Sequence, residues 1–222
     1  MYRTTLITVL LVCCSLIVFG QYNNIYVESA WEERDKWQHP EWIIEAMQAG
    51  PGKHVADIGS HEGYMTVKLA KAVGSEGKVY AVEVNNYKLN KLKGYLKERD
   101  ISNVELINGA YDNPKTPVNR MDAILILDTY HEIKDYKEVL NHLKNSLKSD
   151  GRLVIIEPIA EERKDWSRKK QTDKHEIAIR YVKAELEEAG FNIIDQNIMF
   201  LDRTKEKGDK LWLLVAMKTP TN

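Results

Sequence analysis

VADIGSHEGYM, residues 55–65, joins a short apolar run to the start of a helix through Gly59, Ser60, His61, Glu62 and Gly63. A strand that feeds a helix through a glycine-bearing loop is the opening unit of an open α/β sheet, and ligands of such sheets bind beyond the carboxyl ends of the strands. The helix N-terminus that follows offers free N–H groups and a partial positive charge to a phosphate or carboxylate. The spacing reads D-x-G-x-x-x-G. It is neither the G-x-G-x-x-G of a dinucleotide loop nor the G-x-x-x-x-G-K-[ST] of a triphosphate loop. Glu83 ends the next apolar run, about 20 residues after Gly63, where an acidic side chain meets ribose hydroxyls.

Outward from this loop, the pattern alternates. KHVADI, GKVYAVEV, NVELIN, MDAILILD and GRLVIIEP read as strands. GYMTVKLAKAV, NNYKLNKLKGYLKERD, EIKDYKEVLNHLKNSLK (closed by Asp150-Gly151) and TDKHEIAIRYVKAELEEAG read as helices between and after them. Alternation of this kind predicts parallel βαβ units in a doubly wound sheet. FNIIDQNIMFL and KLWLLVAM close the chain as two strands joined by the charged turn DRTKEKGD, so the last strand is expected to run antiparallel. The fold class is therefore α/β: a doubly wound, mostly parallel seven-stranded sheet with an antiparallel last strand.

The 222 residues are 43% hydrophobic, enough for one packed domain. With 32 Lys+Arg against 33 Asp+Glu, the chain is not built to coat nucleic acid or an anionic surface, and a small-molecule partner is expected. Arg3 followed by the apolar run 6–19 fits a secretory signal and is short for a spanning helix. Residues 1–20 are read as a signal peptide cut before Gln21, with an uncleaved anchor as the alternative. The mature protein is then exported, to the periplasm or beyond, with no stable membrane insertion. Both cysteines, Cys13 and Cys14, lie in this leader, so the mature chain has no disulfide framework, thiolate site or cysteine nucleophile. Residues 21–50 read as a helical extension, with a helix over 30–37 and another opened by Pro40. Residues 51–222 form the main domain.

The ordered set VADIGSHEGYM, VYAVEVNN, AYDNP, AILILDTYHEI and LKSDGRLVIIEP resembles the class I S-adenosylmethionine-dependent methyltransferases over residues 39–217. With Trp37-Gln38-His39-Pro40 as a lead-in, it is most similar to an exported bacterial methyltransferase-like group. The resemblance implies a Rossmann-like methyltransferase fold and S-adenosyl-L-methionine as cofactor. It implies that Gly59, Ser60 and Gly63 line the methionine end, with Asp57 holding the turn. Glu83 would bind ribose, Val84 would pack on adenine, and Tyr111 and Asp112 would lie at the adenine edge. Leu127 and Asp128 would face the sulfonium. Two residues depart from the family pattern. His61 stands mid-loop where glycine is common, either donating to the methionine carboxylate or marking a weak site. Ala110 stands where an adenine-contacting aspartate is common.

Methyl transfer from a sulfonium needs orientation above all, and a base only where the acceptor must lose a proton. Asp128, Tyr130 and His131 of LDTYHEI follow the fourth strand and are the catalytic candidates. His131 reads either as a general base or as part of a helix start capped by Thr129. No set of oxygen ligands joins Asp128, so no metal is expected. His175 either reaches the substrate opening or is surface. Arg34, Trp37 and Gln38 either fold over the cofactor as a lid or pack the extension onto the core. The charged run 161–174 sits where substrate access is shaped in this family. Two other functions compete with methyl transfer to a small acceptor. One is a degenerate protein that binds the cofactor without turnover. The other is an NAD-dependent oxidoreductase, which shares the ribose carboxylate but lacks the glycine spacing and does not account for the antiparallel strand.

Overall fold

The computed structural model describes residues 25–219. The expected signal peptide and both cysteines lie outside the described residues. Among these, no helix is long and apolar enough to cross a membrane.

Seven strands form one sheet in the order β3-β2-β1-β4-β5-β7-β6. They are β1 (His54–Ile58), β2 (Lys78–Glu83), β3 (Val104–Asn108), β4 (Met121–Leu127), β5 (Leu147–Ile159), β6 (Phe191–Arg203) and β7 (Asp209–Lys218). The pairings from β3 through to β5 are parallel, and β7 runs antiparallel to both β5 and β6. The expected fold class is the observed one. Strand order reverses at β1, which has β2 on one side and β4 on the other. A crevice opens at such a reversal, beyond the carboxyl ends of the strands. Asp57, Glu83 and Leu127 all lie at those ends.

The sheet is covered on both faces, as the apolar central strands require. Leu153 and Ile155 of β5 join one buried cluster, with Leu140 and Leu143 of α5 (Tyr136–Ser146) and Val182 and Leu186 of α7 (Ile179–Glu188). Val154 and Ile156 alternate into the other, against Leu69 and Val73 of α3 (Tyr64–Val73). Ile43 and Met47 of α2 (Pro40–Met47) belong to this second cluster, so part of the extension is core. α1 (Trp31–Gln38) lies ahead of α2, with His39 in the left-handed region between them. The helix α4 (Asn86–Glu98) is capped by the Asn85 side chain, which accepts from the Tyr87 N–H at 2.9 Å.

Three elements differ from expectation. The fifth helix stops at Ser146, because Leu147 already pairs with Met121 in the sheet. Gly151 belongs to an irregularity in β5, where a Cβ would lie 2.7 Å from the Met121 carbonyl oxygen. The late helix expected from Thr172 starts only at Ile179, as α7, and a short helix, α6 (Arg168–Thr172), stands in the run read as a charged loop. Between them Glu176 is buried to accept from the Ala160 N–H at 3.0 Å and from the Arg163 guanidinium, and Gln171 accepts from the Ala178 N–H at 2.8 Å. These buried polar bonds hold the backbone out of the helix, so His175 stands in a left-handed bend (φ 57°) and does not open a helix. The terminal charged turn carries a helical turn, α8 (Thr204–Lys207).

Candidate active site

A cavity of about 900 Å³ occupies the crevice. Most of the residues expected at a site line it: Arg34, Asp57, Gly59, Ser60, His61, Glu83, Val84, Tyr111, Leu127, Asp128, His131 and His175. Gly63, Asp112, Tyr130, Trp37 and Gln38 do not line it.

The β1–α3 loop is shaped by contacts with the protein itself. Gly59 has φ 76°, and a Cβ there would meet the Thr129 side chain at 2.4 Å. Gly63 has φ 100°, and a Cβ there would meet the Leu92 side chain at 2.2 Å. Both glycines therefore serve packing as well as left-handed backbone. His61 also has a positive φ, of 51°. Its N–H donates to Glu83 Oε2 at 3.0 Å, and Glu83 Oε1 accepts from the Asn85 N–H at 2.8 Å. The Ser60 hydroxyl and His61 Nδ1 are buried and have no hydrogen-bond partner among the described residues. Burial, and then Lys88, lower the His61 pKa. Asp57 accepts from the Thr66 hydroxyl at 2.6 Å, and burial pushes its carboxyl up to about 6 against the pull of Thr66 and Arg34.

Arg34 reaches the cavity from α1. It is 6% exposed, stacks over Tyr64 at 4.0 Å, and donates to Gln38 Oε1 at 3.2 and 3.3 Å. No carboxylate pairs with it among the described residues, and burial lowers its pKa. Buried charges are usually paired, so this one is set for an anion. Gln38 positions Arg34. Trp37 lies beside the guanidinium, at 5.9 Å.

On the β4 side, Asp128 (φ 51°) is locked in place. Its Oδ2 accepts from Arg203 Nη1 at 2.6 Å and from the Tyr26 hydroxyl at 2.6 Å. Burial raises its pKa, but Arg203 outweighs burial and holds the carboxyl well below the usual range. A carboxylate so held is a poor base, and its role is to anchor. Arg203 also bonds Asp209, and Lys207 lines the cavity and donates to Tyr26 at 2.7 Å. The Tyr130 side chain is fully buried, with its hydroxyl donating to Glu185 at 2.8 Å, which removes it from the reaction space.

His131 is the remaining catalytic candidate. Its Nδ1 lies 2.5 Å from Glu157 Oε2, and Glu157 Oε1 accepts the N–H groups of Thr129 and Tyr130, each at 2.6 Å. Burial lowers the His131 pKa, but Glu157 outweighs it and the net shift is upward. Glu157 is fully buried near the end of β5. Sequence reasoning passed over it, although a lone carboxylate in LVIIEP was the available signal. Arg203, Lys207 and Tyr26 were missed too, since nothing in a charged turn or at the start of the extension distinguishes them.

Comparison with known proteins fits this frame. The family model described as Methyltransferase domain matches residues 49–205. The demethylmenaquinone methyltransferase of Geobacillus sp. is 28% identical over 63% of this chain and 59% of its own length. The ubiquinone/menaquinone biosynthesis C-methyltransferase UbiE of Vibrio cholerae is 30% identical over 52% of this chain and 45% of its own. The chain thus spans about half the length of these curated relatives. Among solved structures, a SAM dependent methyltransferase from Aquifex aeolicus superposes with a TM-score of 0.71, at 23% identity over 86% of this chain and 98% of that one. With a seven-stranded sheet of this order, a crevice at its reversal and a family match over most of its length, the chain belongs to the methyltransferase-domain family.

Proposed function

We propose that the protein is an S-adenosylmethionine-dependent methyltransferase acting on a small-molecule acceptor. One observation carries this reading. Among the described residues, a buried guanidinium that no carboxylate pairs, Arg34, faces the same cavity as the Ser60 hydroxyl and His61 Nδ1, which have no hydrogen-bond partner there, and as the acidic end of β2. The first three groups want a carboxylate and a polar head. Glu83 suits vicinal hydroxyls, and the exposed Val84 and Tyr111 offer apolar surface to a base. An amino-acid head joined to an adenosine meets all of these demands at once.

In this reading Arg34, Ser60 and His61 hold the methionine end, Glu83 the ribose, and Val84 and Tyr111 the adenine. Bound S-adenosylmethionine supplies an electrophilic methyl group on a sulfonium. The protein's work is then orientation and exclusion of water, which can lower a barrier by about 7–11 kcal/mol. Asp128, pinned by Arg203 and Tyr26, fixes the floor beside the reacting atoms. His131, with Nδ1 tied to Glu157, turns Nε2 toward the acceptor side. A cavity near the upper end of the ~300–1,000 Å³ range of ligand pockets suits a cofactor with a small acceptor better than a macromolecular chain.

Calorimetric titration with S-adenosylmethionine, S-adenosylhomocysteine and NAD tests the reading. Micromolar binding of the first two is expected, with transfer of labelled methyl from the first into small molecules of a cell extract. Binding of NAD alone would overturn it. Cofactor binding without any transfer would favour the degenerate, binding-only protein.

A further inference from the structure

We infer that His131, Glu132 and His175 form a binding site for a divalent transition-metal ion of the zinc class at the acceptor side of the cavity. The three ligand atoms come from two separate segments, the turn after β4 and the bend between α6 and α7. His175 Nδ1 lies 2.5 Å from Glu132 Oε1, His131 Nε2 lies 3.4 Å from the same oxygen, and all three atoms fall within 4.8 Å of one another. Tetrahedral ligands at about 2.0–2.2 Å from one zinc ion stand about 3.3–3.6 Å apart. Closing the set therefore asks a movement of about 1 Å of His175, which would trade its hydrogen bond to Glu132 for the ion and whose side chain is 72% exposed.

One further feature points to a cation. A metal-bound imidazole usually gives its other nitrogen to a carboxylate, which fixes the ring and its tautomer. His131 has that arrangement: Nδ1 meets Glu157, and Glu157 is itself held by two backbone N–H groups. A surface His–Glu pair alone is worth little and does not account for it. The other nearby set, Asp128, His131 and Glu157, is engaged elsewhere, since Arg203 holds Asp128 and backbone N–H groups hold Glu157.

Two imidazoles and one carboxylate leave a coordination position open, the pattern of catalytic zinc sites. This inference rests on the proposed methyl transfer and names its acceptor class: a molecule with a hydroxyl or thiol that binds the open position. Coordination makes that group more acidic, and its proton leaves to solvent at the rim. The electron pair of the oxygen or sulfur forms the new bond to the methyl carbon, the sulfonium S–C bond breaks, and its pair stays on the sulfur of S-adenosylhomocysteine. Direct removal of the acceptor's proton by His131 is the competing use of Nε2.

Titration of the metal-stripped full chain with Co²⁺, read by visible absorption, tests the site. One equivalent is expected to bind with a d–d spectrum of low coordination number, and Zn²⁺ should displace it. His175→Ala and Glu132→Gln should each weaken Co²⁺ binding by at least the roughly 10–100-fold that loss of a mere outer-shell partner costs. Both side chains are exposed, and matching unfolding midpoints of the metal-free variants would verify that the fold is kept. No spectrum at equivalence, or equal affinity in both variants, would overturn the site. So would a full rate of methyl transfer in chelated protein, which would return His131 to the role of base. S-adenosylhomocysteine binding to the stripped protein separates the two readings. If it binds and Co²⁺ does not, only the metal site fails; if Co²⁺ binds and it does not, the methyl-transfer reading fails.

Discussion

Asp57 sits at the end of β1 with its carboxyl buried, held by Thr66 and near Arg34. Its pKa of about 6 stands above the ordinary 3.8, so the folded state keeps this proton to higher pH than the unfolded chain does. The sign follows: the group costs nothing below the unfolded value, and the cost grows as pH rises through about 6. At roughly 1.4 kcal/mol per unit, the buried charge costs on the order of 3 kcal/mol above that range. Asp57→Asn should therefore raise unfolding free energy at about pH 8 and leave it nearly unchanged at about pH 4. Urea unfolding at the two pH values checks this, and an equal gain at both would sink it. The same loop shows where sequence reading stops. D-x-G-x-x-x-G located the site, but it did not show that Thr129 and Leu92 crowd its two glycines. Those neighbours lie 70 and 29 residues away in sequence, where no local pattern reaches.

Among the elements, the β6–α8–β7 unit does more than close the sheet. Its charged turn reads as solvated surface, yet Arg203 is 1% exposed and bridges Asp209 to Asp128 after β4. A guanidinium so placed ties the antiparallel edge to the floor of the cavity. Arg203→Met would leave Asp128 buried without its counter-charge, at a cost of about 3–5 kcal/mol. Adding Asp128→Asn should recover part of that loss, since the second change removes the orphaned charge. Denaturant midpoints of the two single variants and the double variant measure the coupling, and strictly additive losses would refute the bridge. Apolar periodicity made the strands and most helices legible, because burial on one or both faces writes itself into alternation. The late start of α7 was not legible. TDKHEIAIRYVKAELEEAG has helical periodicity throughout, and only the tertiary partners of Gln171 and Glu176 override it.

At the scale of the molecule, the chain ahead of the sheet completes the cavity. Tyr26 and Arg34 line it, Trp31 is buried against Tyr64 and Tyr95, and Tyr26 reaches both Asp128 and Lys207. Glu28 pairs with Arg99 of the α4 end, so this segment is fastened at several points across the β1–α3 loop. The methyltransferase-like sheet and its helices then supply Glu83, the glycine loop and Lys88, but not the buried guanidinium of Arg34. Deleting residues 1–38 should leave the strand content intact, because the sheet and its buried clusters are built almost entirely from later residues, with Trp31 the one cluster member removed among the described residues. It should also reduce S-adenosylhomocysteine affinity by more than tenfold, the loss of one charge-assisted contact at ~1.5–3 kcal/mol. Arg34→Ala in the full chain divides that loss. If it accounts for nearly all of it, the segment acts by delivering one cation; if it accounts for little, Tyr26 and the enclosure of the cavity carry the effect. Unchanged affinity in the truncated protein, measured by calorimetry with circular dichroism as the check on folding, would show that the segment covers the site without taking part in it.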